Sequence, residues 1–267
     1  MSHDEGERPG PFTIEDLTSD LRALGLLVGD TVLVHSSLSS IGYVVGGAQA
    51  VALALLNVIG ANGTLVVPTH SGDLSDPSRW ENPPVPEGWW PVIRATMPPF
   101  DTRLTPTRKM GAVPEVVRHL PGASRSRHPA HSFCAVGPNA EAITSDHGLA
   151  FGFDDFSPLA RLYDLNARIL LLGVGHDRNT SLHLAEFRTH LAHQVIEQGA
   201  PILVNGERQW VTYATLDYDT DDFDQVGTAA GQTGIEQVGK VGGATARLLD
   251  QPRLVDFAVD WFRANRH

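Results

Sequence analysis

The chain has 267 residues, 42% of them apolar, enough for one α/β domain with a sizeable buried core. Its 31 acidic against 20 basic side chains leave a formal charge of -11, which argues against nucleic acid and suits a polycationic ligand. A single cysteine excludes an internal disulfide framework, and no apolar run approaches the ~20 residues that span a bilayer.

The polar, acidic start from Met1 to Pro11 lacks the pattern of a signal peptide, so a cytoplasmic protein without a membrane partner is expected. Phe12-Thr13-Ile14-Glu15-Asp16-Leu17 opens a first helix, with Thr13 as N-cap and Leu17, Leu21 and Leu24 on one face. Gly29-Asp30 turns the chain into a β-branched strand, Thr31-Val32-Leu33-Val34-His35. Gly46-Gly47 precede an Ala/Leu-rich helix from Ala48 to about Ile59, and Asn62-Gly63 turn into a second strand, Thr64-Leu65-Val66-Val67-Pro68. Strand, helix, strand at this spacing is a βαβ unit and predicts parallel pairing.

Residues 71–109 are rich in Pro, Trp and Asp and lack periodicity, so they read as a long irregular segment, packed rather than loose because of Trp80, Trp89 and Trp90. Gly111 to Leu120 reads as a helix, and Phe133-Cys134-Ala135-Val136-Gly137 as a buried strand in which Cys134 is a structural thiol. Ser157 to Leu165 is a further helix, capped by Ser157 with Pro158 in its first turn. Ile169 to Val174 is the fourth strand, and a helix follows from Ser181. Ile202-Leu203-Val204, Asn205-Gly206 and Gln209 to Tyr213 predict a hairpin. An acidic loop with Asp217, Asp219, Asp221, Asp222 and Asp224 comes next, then two short amphipathic helices. The simplest architecture is a single α/β domain over 1–267, with a central, mostly parallel sheet flanked by helices and a β-hairpin insertion.

Ligands of open parallel sheets bind beyond the carboxyl ends of the strands. Segments at His35-Ser36-Ser37, His70 to Asp73, His128 to Ser132 and Gly175-His176-Asp177 converge on that edge. The first, with Gly46-Gly47 further on, could hold a pyrophosphate on backbone N–H groups or be a plain polar turn; it is neither a P-loop nor a dinucleotide fingerprint. His176, delivered by a glycine-broken strand end, is a candidate catalytic base. Asn179, His183, Glu186 and His190 fall on one helical stripe, and a solvated polar face fits His190 best. Glu186 can reach back toward His176 and raise its basicity. His176, Asp177, His183 and Glu186 could alternatively be metal ligands, although no H-E-x-x-H motif or cysteine pair occurs. No G-x-S-x-G elbow supports a serine nucleophile.

Taken together, VHSSLSSIG (34–42, after Leu33), Gly46-Gly47, GTLVVPTHSG (63–72), MGAVPEVVR (110–118), RSRHPAHSFCAVG (125–137), LLLGVGHDRNTSLHLAE (170–186), DYD (217–219) and VGGATARLLD (241–250) resemble the aminoglycoside 3-N-acetyltransferases, the antibiotic N-acetyltransferase family. The resemblance covers roughly residues 12–250 in order. It implies that family's own α/β fold, distinct from GNAT, with acetyl-CoA as co-substrate and no metal. It places the catalytic histidine on His176 with Glu186 as its carboxylate. Coenzyme A contacts fall on His35, Ser36, Ser37 and Leu38, with Thr107, Met110 and Gly111 as a further wall. The aminoglycoside pocket draws on Asp73, Asp177, Glu186, Asp217 and Asp219. Direct acetyl transfer to the 3-amino group of the deoxystreptamine ring is the implied reaction, by a monomer or homodimer. A metal-dependent hydrolase, a non-catalytic polycation-binding module and an acyl-CoA transferase acting on another amine are the competing readings.

Overall fold

The computed structural model describes residues 10–81, 83–191 and 195–266, so the acidic start before Gly10 lies outside them. Helix α1 (Ile14–Leu24) begins as expected: the Thr13 hydroxyl accepts from the Asp16 amide, and the Asp16 carboxylate returns the bond to the Thr13 amide. Leu17, Leu21 and Leu24 form its buried face. Strand β1 (Thr31–Ser36), the short α2 (Leu38–Ile41), α3 (Gly47–Ile59) and β2 (Thr64–Pro68) complete the predicted βαβ unit, with β1 and β2 parallel.

The chain continues through α4 (Trp90–Thr96), α5 (Ala112–Val117), β3 (Ser124–Arg125), β4 (Phe133–Val136), α6 (Ala140–Thr144), α7 (Pro158–Asp164), β5 (Arg168–Leu172) and α8 (Ser181–Thr189). Strands β6 (Val195–Val204) and β7 (Glu207–Leu216), helix α9 (Phe223–Gly231), strands β8 (Glu236–Val241) and β9 (Ala244–Asp250), and α10 (Gln251–Asn265) follow. Among the described residues the main sheet is seven-stranded, in the order β3-β4-β2-β1-β5-β9-β8. Its centre, β2-β1-β5, is parallel, and β4 and β9 join it antiparallel on either side. The β8–β9 hairpin lies between the two C-terminal helices that the sequence pattern predicts. That pattern missed the hairpin because β8 is an edge strand with little buried side-chain surface, leaving no apolar alternation to read.

Alternation along β1 sorts the core into two layers. Val32 and Val34 pack with Leu55 of α3 and Val113 of α5, while Leu33 packs on the opposite face with Leu159, Leu182, Val226 and Leu254. Two residues beyond Leu33, His35 falls on the face covered by α8, and its register partner is Leu171. The β6–β7 hairpin forms a separate two-stranded sheet around Asn205-Gly206, both in the left-handed conformation that such a turn favours. The long segment 71–109 packs against it: Arg208 donates to the Met97 carbonyl at 2.9 Å, and the Asp76 amide donates to Gln198 Oε1 at 2.7 Å. No helix among the described residues is long and apolar enough to cross a membrane.

Candidate active site

The carboxyl ends of β1 and β5 open onto a cavity of about 380 Å³. Its walls include His35, Ser36, Ser37, Leu38, Met110 and Gly111, joined by Lys109, Arg178 and Thr180, which the sequence reading did not single out. Serine hydroxyls, two cations and the apolar Val34, Pro68 and Val174 together fit a phosphate-bearing molecule with a hydrophobic arm. Gly46 and Gly47 are not among the lining residues; they start α3 instead. Thr107 is not among them either, because its amide and hydroxyl both donate to Glu115 Oε1, at 2.9 and 2.6 Å. Gly173, just before the lining residue Val174, takes a left-handed conformation where a side chain would strike Ser40, so the end of β5 can lie directly on α2.

On the other side of His35 lies His183. Thr180, whose hydroxyl is 3.4 Å from His35 Nε2, accepts the His183 amide on its backbone carbonyl at 3.0 Å. His183 Nδ1 is 2.5 Å from Glu186 Oε2, within one turn of α8. A carboxylate on Nδ1 holds the ring proton there and leaves the lone pair on Nε2. Glu186 is 2% exposed, and its Oε1 accepts from Arg266 Nη1 at 2.6 Å and from the Asp219 amide at 3.2 Å.

His183 ends a column of rings. Phe153 stacks on it at 4.9 Å, His131 on Phe153 at 4.4 Å, and His128 on His131 at 4.8 Å, all nearly parallel. Tyr218 stands edge-on to both Phe153 and His183 at 5.0 Å. Burial, and then the charge of neighbouring His183, push His35 and His131 down to about 3. Burial also brings His147 down to about 4 and holds His70 and His128 well below the ordinary range. Three of the four converging segments therefore surround His183 with imidazoles that stay neutral near pH 7.

His176 sits elsewhere. Its Nε2 is 2.9 Å from Glu236 Oε2, and Arg247 binds the other oxygen of that carboxylate. Its Nδ1 is buried without a hydrogen-bond partner among the described residues, and the ring lies against Gly227 of α9, where a Cβ would overlap it. The expected pairing of Glu186 with His176 is thus replaced by two separate pairs, His183–Glu186 and His176–Glu236. The reason is local: His176 begins a 3-10 turn before α8, so the helical reach-back from Glu186 meets His183 instead. The four side chains considered as metal ligands are divided in the same way. Among the described residues no group of three His, Cys, Asp or Glu is placed to hold an ion.

The remaining predicted acids are scattered. Asp73 pairs with Arg108 at 3.0 Å, and Asp177 with Arg178 at 2.9 Å. Asp217 is exposed, while Asp219 gives its amide to Glu186 and receives the Asp221 amide on its side chain at 2.8 Å. His190 is exposed at the end of α8 in a left-handed conformation, as a solvated face predicts. Cys134 is buried, and burial pushes its thiol up to about 12, in keeping with a structural role.

A family model described as aminoglycoside 3-N-acetyltransferase matches residues 33–263. The chain belongs to that family of acetyltransferases. It is 47% identical to the SPbeta prophage-derived aminoglycoside N(3')-acetyltransferase-like protein YokD of Bacillus subtilis (strain 168), over 96% of this chain and 94% of that one. The crystal structure of YokD superposes with a TM-score of 0.95, covering 97% of this chain and 96% of the other. Two further solved structures are AAC-IIIb in a binary complex with CoASH (TM-score 0.84, 30% identity, 96% and 97% covered) and AAC-VIa bound to sisomicin (TM-score 0.86, 29% identity, 96% and 98% covered).

Proposed function

We infer that this protein moves the acetyl group of acetyl-CoA onto the 3-amino group of the deoxystreptamine ring of an aminoglycoside, with His183 as general base. The observation that carries this reading is the His183–Glu186 pair next to the His35 wall of the cavity. Family membership supports the donor and the acceptor, and the CoASH and sisomicin complexes of related enzymes support both sites.

The coenzyme lies along Ser36, Ser37, Leu38, Met110 and Gly111, with Lys109 and Arg178 meeting its phosphates. Asp217 and Asp219 bind ammonium groups of the acceptor, and the net charge of -11 draws such a polycation in. An ammonium cannot attack a thioester. His183 Nε2 takes one proton from it, while Glu186 holds the tautomer and stabilises the imidazolium. The freed amine attacks the carbonyl to form the N–C bond, the C–S bond breaks, and His183 passes its proton to the leaving thiolate. The second proton, on the acylated nitrogen, then leaves through His183 to solvent. Positioned bases of this kind contribute about 10² to 10⁴-fold. His176, with Glu236, holds the turn that presents Arg178 and Thr180 to the cavity.

The test is thiol release from acetyl-CoA with sisomicin as acceptor. His183→Ala is expected to lower kcat by about 10² to 10⁴-fold with coenzyme A binding retained. If it keeps more than about a tenth of kcat while His176→Ala is inactive, the base is His176 and this assignment falls.

A further inference from the structure

Arg266, the residue after α10, is bound to the His183–Glu186 pair through one fully engaged guanidinium. Nη1 donates to Glu186 Oε1 at 2.6 Å, Nε and Nη2 donate to the two Asp222 oxygens at 2.7 and 2.5 Å, and Nη2 also donates to the Asp219 carbonyl at 3.0 Å. The flat face lies 4.0 Å from the centre of the Phe262 ring, and the side chain is only 17% exposed. Such a planar fork grips one carboxylate with two parallel donors while a third reaches another, a bidentate geometry that a compact ammonium does not offer.

We propose that Arg266 is a positioning residue for acetyl transfer: it fixes the Glu186 carboxylate so that Oε2 faces His183, and it joins that carboxylate to the acidic 217–222 loop. The terminal torsion of a glutamate is broad and roughly two-fold, so one hydrogen bond to an imidazole does not decide which oxygen faces the base. Arg266 and the Asp219 amide both occupy Oε1, which leaves Oε2 to the histidine. Burial opposes the charge of Arg266, but its bonds to Asp222 and Glu186 outweigh burial and hold its pKa above the ordinary arginine range. The same guanidinium holds the loop carrying Asp217 and Asp219. Acceptor binding and base orientation therefore share one tether.

Among the described residues, the titratable groups facing the pair include Asp219 and Asp222 before and at the start of α9, Tyr218 on the same loop, His35 from β1, His70 after β2 and His131 before β4. Removing the cation from among them makes proton uptake by His183–Glu186 easier, so the base is blocked up to a higher pH. The proposal rests on His183 being the base, and the experiment separates the two claims.

The kcat and both KM values of wild type, Arg266→Gln, Arg266→Lys and His183→Ala are measured with sisomicin and acetyl-CoA from about pH 6 to about pH 9. Arg266→Gln is expected to lower kcat about tenfold or more near pH 7, recovering as pH rises because the acid limb has moved up, with KM for acetyl-CoA unchanged. Arg266→Lys should keep the wild-type acid limb but raise KM for sisomicin, since it keeps the charge and loses the fork. A wild-type acid limb and kcat in Arg266→Gln overturns the proposal, as does a wild-type sisomicin KM in Arg266→Lys should the glutamine variant be insoluble. Activity in His183→Ala instead overturns the reading beneath it.

Discussion

Two histidine–glutamate–arginine sets lie on either side of the turn that leads into α8, and they differ in which ring nitrogen is held. In His183–Glu186–Arg266 the carboxylate takes Nδ1, and the ring lies beside the His35 wall of the cavity. In His176–Glu236–Arg247 the carboxylate takes Nε2, the remaining nitrogen is buried, and the ring packs against Gly227. The side groups are the same, yet under the assignment proposed above only the first arrangement leaves a lone pair for substrate. A histidine–carboxylate pair thus becomes a base only when its second nitrogen has an open direction. When that direction is filled by packed atoms, the same pair is a clamp.

The largest effect that can break this contrast comes from isosteric removal of each carboxylate's charge. Glu186→Gln is expected to cost about 10² in kcat, since the amide can no longer hold the imidazole proton or stabilise its cation. Glu236→Gln is expected to leave kcat within about threefold and to lower stability by about 1–3 kcal/mol, the range for an impaired buried hydrogen-bond set. Thiol-release kinetics beside thermal melts read both. If Glu236→Gln were the inactive variant, the two sets would exchange roles.

Acid separates the regions next. His35, His131 and His147 have an ordinary pKa of 6.5 when unfolded and about 3 to 4 when folded, so the folded state binds fewer protons in between. Stability is therefore lost as pH falls from about 6.5, by up to about 1.4 kcal/mol per pH unit for each ring. Glu236 runs in a lower window. Burial pushes its pKa up, but the His176 bond and Arg247 outweigh burial and leave it below the ordinary 4.5. Its contribution is present above that ordinary value and lost only as pH falls further. The melting temperature should be flat above pH 7 and fall steeply below about 6, with His131→Phe making the fall shallower by about one proton. A flat profile down to about pH 4.5 would contradict the neutral imidazole wall around His183.

Much of this molecule could be read from its residues. The capped first helix, the βαβ unit and the convergence of His35, His70, His128 and His131 follow from apolar period and strand-end position, which are local properties. The cavity wall at His35 to Ser37 follows from the same rule, while Leu38, Met110 and Gly111 follow from the family resemblance. What could not be read are the partners. Glu236 and Arg247 come from a hairpin hidden by its edge strand, and Arg266 comes from beyond α10, some 80 residues from Glu186. One signal was available and differently weighed: His183 and Glu186 stand three apart on a helix, the spacing at which side chains meet. His176 drew attention because a strand that breaks at Gly173-Val174-Gly175 hands it over. Those glycines instead let β5 and the turn pack closely against α2 and Asp224.

A smaller change probes the clamp by crowding it. Gly227 lies within α9, so alanine there gains up to about 1 kcal/mol of helix propensity. Its methyl group, however, would overlap the His176 ring, and overpacking of this kind costs about 1–3 kcal/mol. With His183 as the proposed base, a net loss of melting temperature with kcat nearly unchanged is expected, because the ring that moves is then not the one that exchanges the proton. Loss of kcat at unchanged stability would tie His176 directly to chemistry.

The smallest effect belongs to Arg247, and its size sharpens the contrast with Arg266. Both arginines bind the outer oxygen of a buried glutamate, yet Arg247 is 35% exposed and Arg266 17%. Water can take the place of a guanidinium at a half-open position, and salt screens it, so Arg247→Gln should cost no more than about 1 kcal/mol. The pH dependence of kcat should not move, since under the proposed assignment the histidine it supports exchanges no proton with substrate. Arg266 also binds Asp222 and the Asp219 carbonyl, so water replacing it would leave several acceptors apart that one fork now joins. An acid limb that shifts equally in Arg247→Gln and Arg266→Gln would mean that the two sets are electrostatically one, and that the nitrogen left open does not distinguish base from clamp.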